Sequence, residues 1–225
     1  MGVHHLLYVV FPEGSQPNLA NQNTYFERYG FKFLPSGFSY FLEKNTLRDK
    51  ENENVVSSTE QLAKLPPEIS NGLIQYWEGH GGVGFTIGFV QNNARIIGVI
   101  QFLNSEIELI HDYLRERNAS LASFMYDYFS QMHAEVILGG SNEELLISSV
   151  ITYINSDLLT SAKGVTFFVA NDESKFMPGV ENQRSTLLFI DGKTIYANWP
   201  FSEKLDCVHH PIMAGQLPGD SIFIP

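Results

Sequence analysis

The chain has 225 residues, 44% hydrophobic and 17% charged, with 17 Phe and 10 Tyr; that composition is globular and excludes a disordered protein. Its 25 acidic residues against 14 basic give a formal charge of −11, a field that repels phosphate backbones and anionic lipid and so counts against nucleic-acid and membrane partners. No apolar run approaches the roughly 20 residues of a membrane span, and Cys207 is the sole cysteine, so no internal disulfide forms and a reducing, cytoplasmic location is expected.

In sequence order, residues 3–11 read as a buried first strand, without the basic leader and small-residue cleavage site of a signal peptide. Residues 19–29 predict a short helix with Gly30 as its left-handed stop. Residues 31–34 and 38–43 predict two strands around the turn Pro35-Ser36-Gly37. The charged stretch 44–54 reads as a mobile loop, or as a boundary between a small N-terminal lobe (residues 1–43) and the rest. Ser57 with Glu60 fits a capping box, and Pro67 suits the first turn of a second helix. That helix would carry Ile69, Leu73, Ile74 and Trp77 on one face and end near Gly79.

Residues 83–91 and 94–103 form the clearest hairpin, turning at Asn92-Asn93, two residues that tolerate positive φ. Gly84, Gly88 and Gly98 within it mark bulges or close backbone approach. Ser105 with Glu108 opens a helix that turns Ile107, Ile110, Tyr113 and Leu114 inward. The next helix starts from Ser120, and its stripe of Leu121, Phe124, Met125, Tyr128, Phe129 and Met132 reads as core. Residues 135–138 predict a short strand before Gly139-Gly140, and Ser141 with Glu144 caps a helix burying Leu145, Leu146, Val150 and Ile154. A strand at 165–170, an irregular loop at 171–184, a hairpin of 187–190 with 194–197 about Asp191-Gly192, and a closing strand at 221–224 complete the sequence. Hairpins imply antiparallel pairing, and regular β-α-β alternation is absent. The fold expected is α+β: a mainly antiparallel sheet built from hairpins with a central group of amphipathic helices packed on it, in a single domain over 1–225.

Glu78-Gly79-His80-Gly81-Gly82 is the most conspicuous local motif. A His in a Gly-rich turn leaves its ring accessible and can expose backbone N–H groups to an oxyanion; the plainer reading is a helix C-cap leading into a strand. The motif resembles the His-Gly-Gly loop of lipase-type α/β-hydrolases, which implies a serine nucleophile. The matching Gly-x-Ser-x-Gly elbow is absent, the nearest approach being Gly139-Gly140-Ser141-Asn142-Glu143. Cys207-Val208-His209-His210 offers a thiol, and His80 would be its base if the fold brought the two together. The His-Gly step and later Cys resemble caspase-like proteases, but the sequence separation far exceeds the ~50 residues of that family and its Gln-Ala-Cys motif is missing. His4-His5 and His209-His210, with Asp206 or His80, are the candidate metal ligands. No H-x-x-x-H, H-E-x-x-H or C-x-x-C spacing supports a metal, and none is expected.

Three further resemblances are short. Glu106-Ile107-Glu108, with Ser57-Ser58-Thr59 and Arg28 upstream, resembles the Glu-x-Glu set of ADP-ribosyltransferases, although Glu108 also serves as the capping partner of Ser105. Residues 25–33, an aromatic helix followed by Gly30-Phe31, resemble a step in glyoxalase-like and acetyltransferase domains. Residues 59–82, with Glu60, Leu65-Pro66 and Gly81-Gly82, resemble the opening of SUKH-type immunity proteins over about a tenth of the sequence, which implies a protein that occupies a partner.

The function expected is therefore binding of a protein partner, without catalysis and without a cofactor: an immunity or inhibitor protein neutralising a basic toxin or enzyme. The alternative is a small hydrolase or transferase using His80 with Cys207 or Ser141.

Overall fold

The computed structural model describes residues 4–34, 38–43, 46–51, 58–64, 74–103, 107–141, 150–153, 165–171, 186–190, 193–197 and 222–223. Ten strands among them form one sheet. From edge to edge these are β12 (Ile222–Phe223), β10 (Thr186–Ile190), β11 (Lys193–Ala197), β9 (Val165–Ala170), β8 (Val136–Ser141), β1 (His4–Val10), β7 (Arg95–Leu103), β6 (Gly84–Asn92), β5 (Gln75–Glu78) and β2 (Lys32–Leu34). Every pair of neighbours is antiparallel. A separate ribbon pairs β3 (Phe38–Glu43) with β4 (Thr46–Glu51). The helices are α1 (Leu19–Arg28), α2 (Thr59–Ala63), α3 (Ile107–Arg115) and α4 (Leu121–Gln131). The fold is thus α+β, a mainly antiparallel sheet with helices packed on it.

The first strand of the sequence lies in the middle of the sheet, between β7 and β8. From Leu7 to Val10 it is buried on both faces, so it reads as a continuous apolar run without alternation. One face carries Leu7, Val9, Phe85, Ile87, Ile100, Phe102, Ile137, Phe167 and Val169, covered by apolar side chains of α1, α3 and α4. The other carries Tyr8, Val10, Ile97, Val99, Leu138 and Phe168, packed with Val150 and Tyr153 of the helical residues 150–153. Two cores therefore sandwich one sheet, each drawn from alternate positions of the same strands.

The helices begin and end for local reasons. Asn18 caps α1 by accepting from the Asn21 N–H, and Gly30, at φ 81°, ends it. The turn from α3 to α4 places Asn118 at φ 57°, with the Ala119 N–H returning to Leu114 O. Ser120 and Ser123 then form a reciprocal capping box for α4. All six residues of the α4 stripe are buried, as are Ile107, Ile110, Tyr113 and Leu114 of α3.

The structure departs from the sequence pattern in several places. The segment before Gly79 is no helix: Gln75–Glu78 is β5, alternating buried and half-buried between β2 and β6. The apolar spacing of Ile74 and Trp77 imitates a helical face because the true inward partner of Trp77 is Gln75, a polar residue that hides the period of two. Within the charged stretch 44–54, Thr46–Glu51 forms β4 and pairs residue for residue with β3; a backbone ladder needs no apolar side chains on both strands. β2 and β3 do not pair with each other, since β2 joins β5 and β3 joins β4. The cap of α2 is Ser58, one residue after Ser57, and it accepts from the Gln61 N–H. β6 and β7 turn at Asn93-Ala94, with Asn92 opposite Arg95 and Asn93 at φ 54°. β8 runs through Gly139-Gly140 to Ser141 instead of stopping before them, with an irregularity at the pair. The turns at 35–37 and 191–192, the caps at Ser105 and Glu144, and Ile69, Leu73, Leu145, Leu146 and Ile154 lie outside the described residues.

Candidate functional site

Residues 78–84 form the tight turn of the β5–β6 hairpin. Glu78 opposes Gly84, and the Gly79 N–H donates to Val83 O at 2.7 Å. Gly81 and Gly82 close the loop at φ 85° and 79°, a conformation that costs a side-chain-bearing residue about 1–2 kcal/mol. His80 stands exposed at the tip. The glycines thus serve a strand-to-strand reversal, which replaces the helix C-cap reading of the same motif.

Two other elements meet this turn. Tyr113, near the end of α3, is 5% exposed, and a Cβ on Gly79 would fall 2.7 Å from its hydroxyl and nearer still to its ring carbons. A Cβ on Gly30, past the end of α1, would fall 2.8 Å from the same hydroxyl and 3.2 Å from Arg117 Nε. Tyr113 Oη is buried and has no hydrogen-bond partner among the described residues. Its ring lies against Phe31, with centroids 4.8 Å apart, and under the Arg117 guanidinium at 3.5 Å. Arg117 Nη1 donates to Tyr113 O at 2.8 Å and stands 3.7 Å from Glu116 Oε2. A stacked, anchored guanidinium beside a buried phenol and two bare glycines is a chemically distinctive corner of the molecule.

Behind the turn lies a polar relay inside an aromatic core. Tyr128 Oη donates to Gln22 Oε1 at 2.9 Å, and Gln22 Nε2 donates to Gln75 Oε1 at 2.6 Å. Trp77 Nε1 reaches the same oxygen at 3.4 Å. Gln22 and Gln75 are fully buried. Around them Phe26 contacts Trp77, Phe85 and Tyr128, with centroids 4.9, 4.9 and 5.3 Å away. Tyr25 Oη donates to Phe124 O, and Tyr29 Oη donates to Asp127 Oδ2 at 2.9 Å. Burial pushes the Tyr25 and Tyr128 phenols well up. Tyr29 is pushed up to about 12, by burial first and then by the Asp127 carboxylate.

The solvent side of α3 has a different character. Glu108 and Asp112 on the helix and Glu116 just past its end follow one another at four-residue spacing, all exposed, and Leu109 beside Glu108 is 52% exposed. Asp112 pairs with Arg115 at 2.8 Å, both partners well exposed, so the pair contributes little to stability. The opposite face of the helix is buried.

Of the remaining sequence candidates, Ser141 on β8 stands directly opposite His5 on β1. His5 in turn opposes Phe102, while Trp77 opposes Phe85, whose ring lies 5.6 Å from that of Phe102. Ser141 is thus four strand spacings from β5, about 19 Å, so no hydrogen bond joins it to His80 on that hairpin. His5 is buried and His4 half-buried, on opposite faces of β1, as adjacent strand residues must be. Among the described residues no three His, Cys, Asp or Glu side chains gather as metal ligands. Glu108 is exposed in the first turn of α3 and Arg28 is exposed on α1. Cys207, Asp206, His209, His210, Ser57 and Glu106 lie outside the described residues. Arg117 belongs to none of the sequence motifs; its one signal there is the four-residue spacing from Tyr113.

No family model matches the sequence, and no curated protein does. A solved structure, the Pseudomonas aeruginosa T6SS protein PA0821, is similar at 9% identity and a TM-score of 0.45, over 96% of this chain and 73% of that one. No helix among the described residues is long and apolar enough to cross a membrane.

Proposed function

We propose that this protein is a binding module of the immunity or inhibitor type, which covers a basic surface of a partner toxin or enzyme in the cytoplasm. It acts as one domain over residues 1–225. The observation that carries this reading is the charge of −11, which steers a basic protein toward it and disfavours phosphate backbones. The outer face of α3 supplies a local feature of the right kind, with Glu108 and Asp112 along one side of the exposed Leu109 and Glu116 just past the end of the helix. An apolar residue flanked by carboxylates suits a partner that presents Lys and Arg beside an apolar centre.

The test is capture from the native host with the tagged full-length protein as bait. One dominant basic protein, recovered at low salt and released at high salt, supports the reading. Recovery of no protein, or of an acidic one held independently of salt, removes it.

The exposed His80 on its glycine turn favours one second reading, a hydrolase or transferase with Cys207 as nucleophile. Replacing His80 by Ala and Cys207 by Ser, each alone, and assaying ester, amide and phosphoester substrates separates the two. Turnover lost in both variants supports chemistry; no turnover by the unmodified protein leaves binding.

A further inference from the structure

Apart from partner binding, we infer that Ser141 and His5 form a nucleophile–base pair that hydrolyses a small uncharged carboxylic ester. The two residues stand directly opposite each other on β8 and β1. Directly opposed residues share a face of the sheet, with their Cβ atoms about 4.5–5.5 Å apart. Rotation of the two side chains therefore brings a ring nitrogen of His5 within the ~3 Å of Ser141 Oγ that proton transfer requires. His80, the base expected from the sequence, is on a hairpin four strand spacings from Ser141. The fold supplies a different imidazole in its place.

The two positions suit the two roles. His5 is 3% exposed and so is shielded from bulk water. Ser141 is half-buried at the last position of β8, so a small ester meets its hydroxyl from solvent at the strand end and needs no enclosed cavity. The row behind the pair is apolar, with fully buried Leu7 and Phe167 closing over bare Gly139. The β8–β9 ladder is irregular just before Ser141: Gly139 pairs with Phe167 and Gly140 with Val165, which leaves Thr166 as an extra residue. Bulges re-aim neighbouring side chains and are over-represented next to active sites. Thr166 Oγ1 is buried in this one and has no hydrogen-bond partner among the described residues, a state that native structures seldom leave without a purpose. The charge of −11 repels anionic esters, phosphoesters among them, and so selects an uncharged one.

In the first step Ser141 Oγ bonds to the carbonyl carbon of the ester while its proton passes to His5. The bond from that carbon to the alcohol oxygen breaks, and the alcohol leaves with the same proton. Water then attacks the acyl carbon, giving a proton to His5; the ring returns it to Ser141 Oγ as the carboxylic acid departs.

The test is labelling of the full-length protein with an alkyl fluorophosphonate, in which Oγ bonds to phosphorus, fluoride leaves and the serine proton passes to His5. Peptide mass mapping is expected to find one adduct, at Ser141, that does not form on the urea-unfolded protein. The same preparation is expected to turn over p-nitrophenyl acetate above the buffer rate, and Ser141→Ala to lose that turnover. His5→Gln, with its folded circular dichroism spectrum verified, should slow labelling at least about 100-fold, whereas His4→Gln, on the opposite face of β1, should leave the rate unchanged. If His5→Gln does not fold, the adduct map and Ser141→Ala decide. No adduct, an adduct elsewhere, labelling that survives unfolding, turnover retained in Ser141→Ala, or an undiminished rate in folded His5→Gln overturns the pair.

Discussion

Gly79→Ala tests whether the hairpin glycine is required by packing against Tyr113. The new methyl would lie 2.7 Å from Tyr113 Oη, and ordinary contact begins at 3.4 Å, so the hydroxyl must retreat by about 0.7 Å and the ring carbons by more. The ring has nowhere easy to go, with Phe31 at 4.8 Å on one side and Arg117 at 3.5 Å on the other. Overpacking of this kind costs about 1–3 kcal/mol. Gly79 is not in the left-handed region, so Ala itself is tolerated by the backbone and steric conflict is the whole effect. Shrinking the opposing side chain should relieve it. In urea unfolding, the double variant Gly79→Ala/Tyr113→Leu is expected to recover about 1 kcal/mol or more relative to the sum of the singles. Gly81→Ala is the contrasting control: nothing lies within 4 Å of its Cβ, and its cost comes from φ alone, so it should add to Tyr113→Leu without coupling. Additivity of Gly79→Ala with Tyr113→Leu to within about 0.3 kcal/mol would refute the packing argument.

The buried relay and the aromatic core give further expectations. Gln22→Leu strips partners from Tyr128 Oη and Gln75 Oε1 and should cost about 1–3 kcal/mol by urea unfolding; Gln22→Leu/Gln75→Leu should cost less than the sum of the singles, and simple additivity would argue against a relay. Phe26→Ala opens the centre of the aromatic cluster and should cost about 3–5 kcal/mol, with a cost under about 1 kcal/mol placing Phe26 outside the core. Tyrosine ionisation sets an alkaline limit. Tyr25, Tyr29 and Tyr128 are raised above the ordinary value of 10.0, so their stabilisation is complete below that pH and is lost as pH climbs through the raised values. Ultraviolet titration should show these phenols ionising together with loss of near-UV circular dichroism, with Tyr29 resisting up to about 12; reversible ionisation of every tyrosine near pH 10 in the folded state would contradict their burial.

The parts of the fold that can be read from sequence are those whose signals are local. β1, α1, the β6–β7 and β10–β11 hairpins, and the inward faces of α3 and α4 all announce themselves by apolar period, caps or turn residues. β5 does not, because a buried Gln occupies an inward position and its hydrogen bond to Gln22 crosses 53 positions of sequence. Nor does β4, because its partner supplies the apolar content and its own residues are mostly charged. The placing of β1 between β7 and β8 is long-range pairing that no window of residues encodes. At the candidate site the glycine turn is legible as a turn, and Tyr113 as an inward residue. Their meeting with Gly30 and Arg117 is not, since it depends on how three separate reversals of the backbone come together.

The central claim, that acidity directs this protein to a basic partner, is tested most directly by association kinetics with the captured protein. The on-rate is expected to fall at least about tenfold between about 50 and 500 mM NaCl. A further loss is expected in the combined Glu108→Lys, Asp112→Lys and Glu116→Lys variant, with its folded circular dichroism spectrum unchanged. An on-rate indifferent to salt and to reversal of these three charges would contradict it.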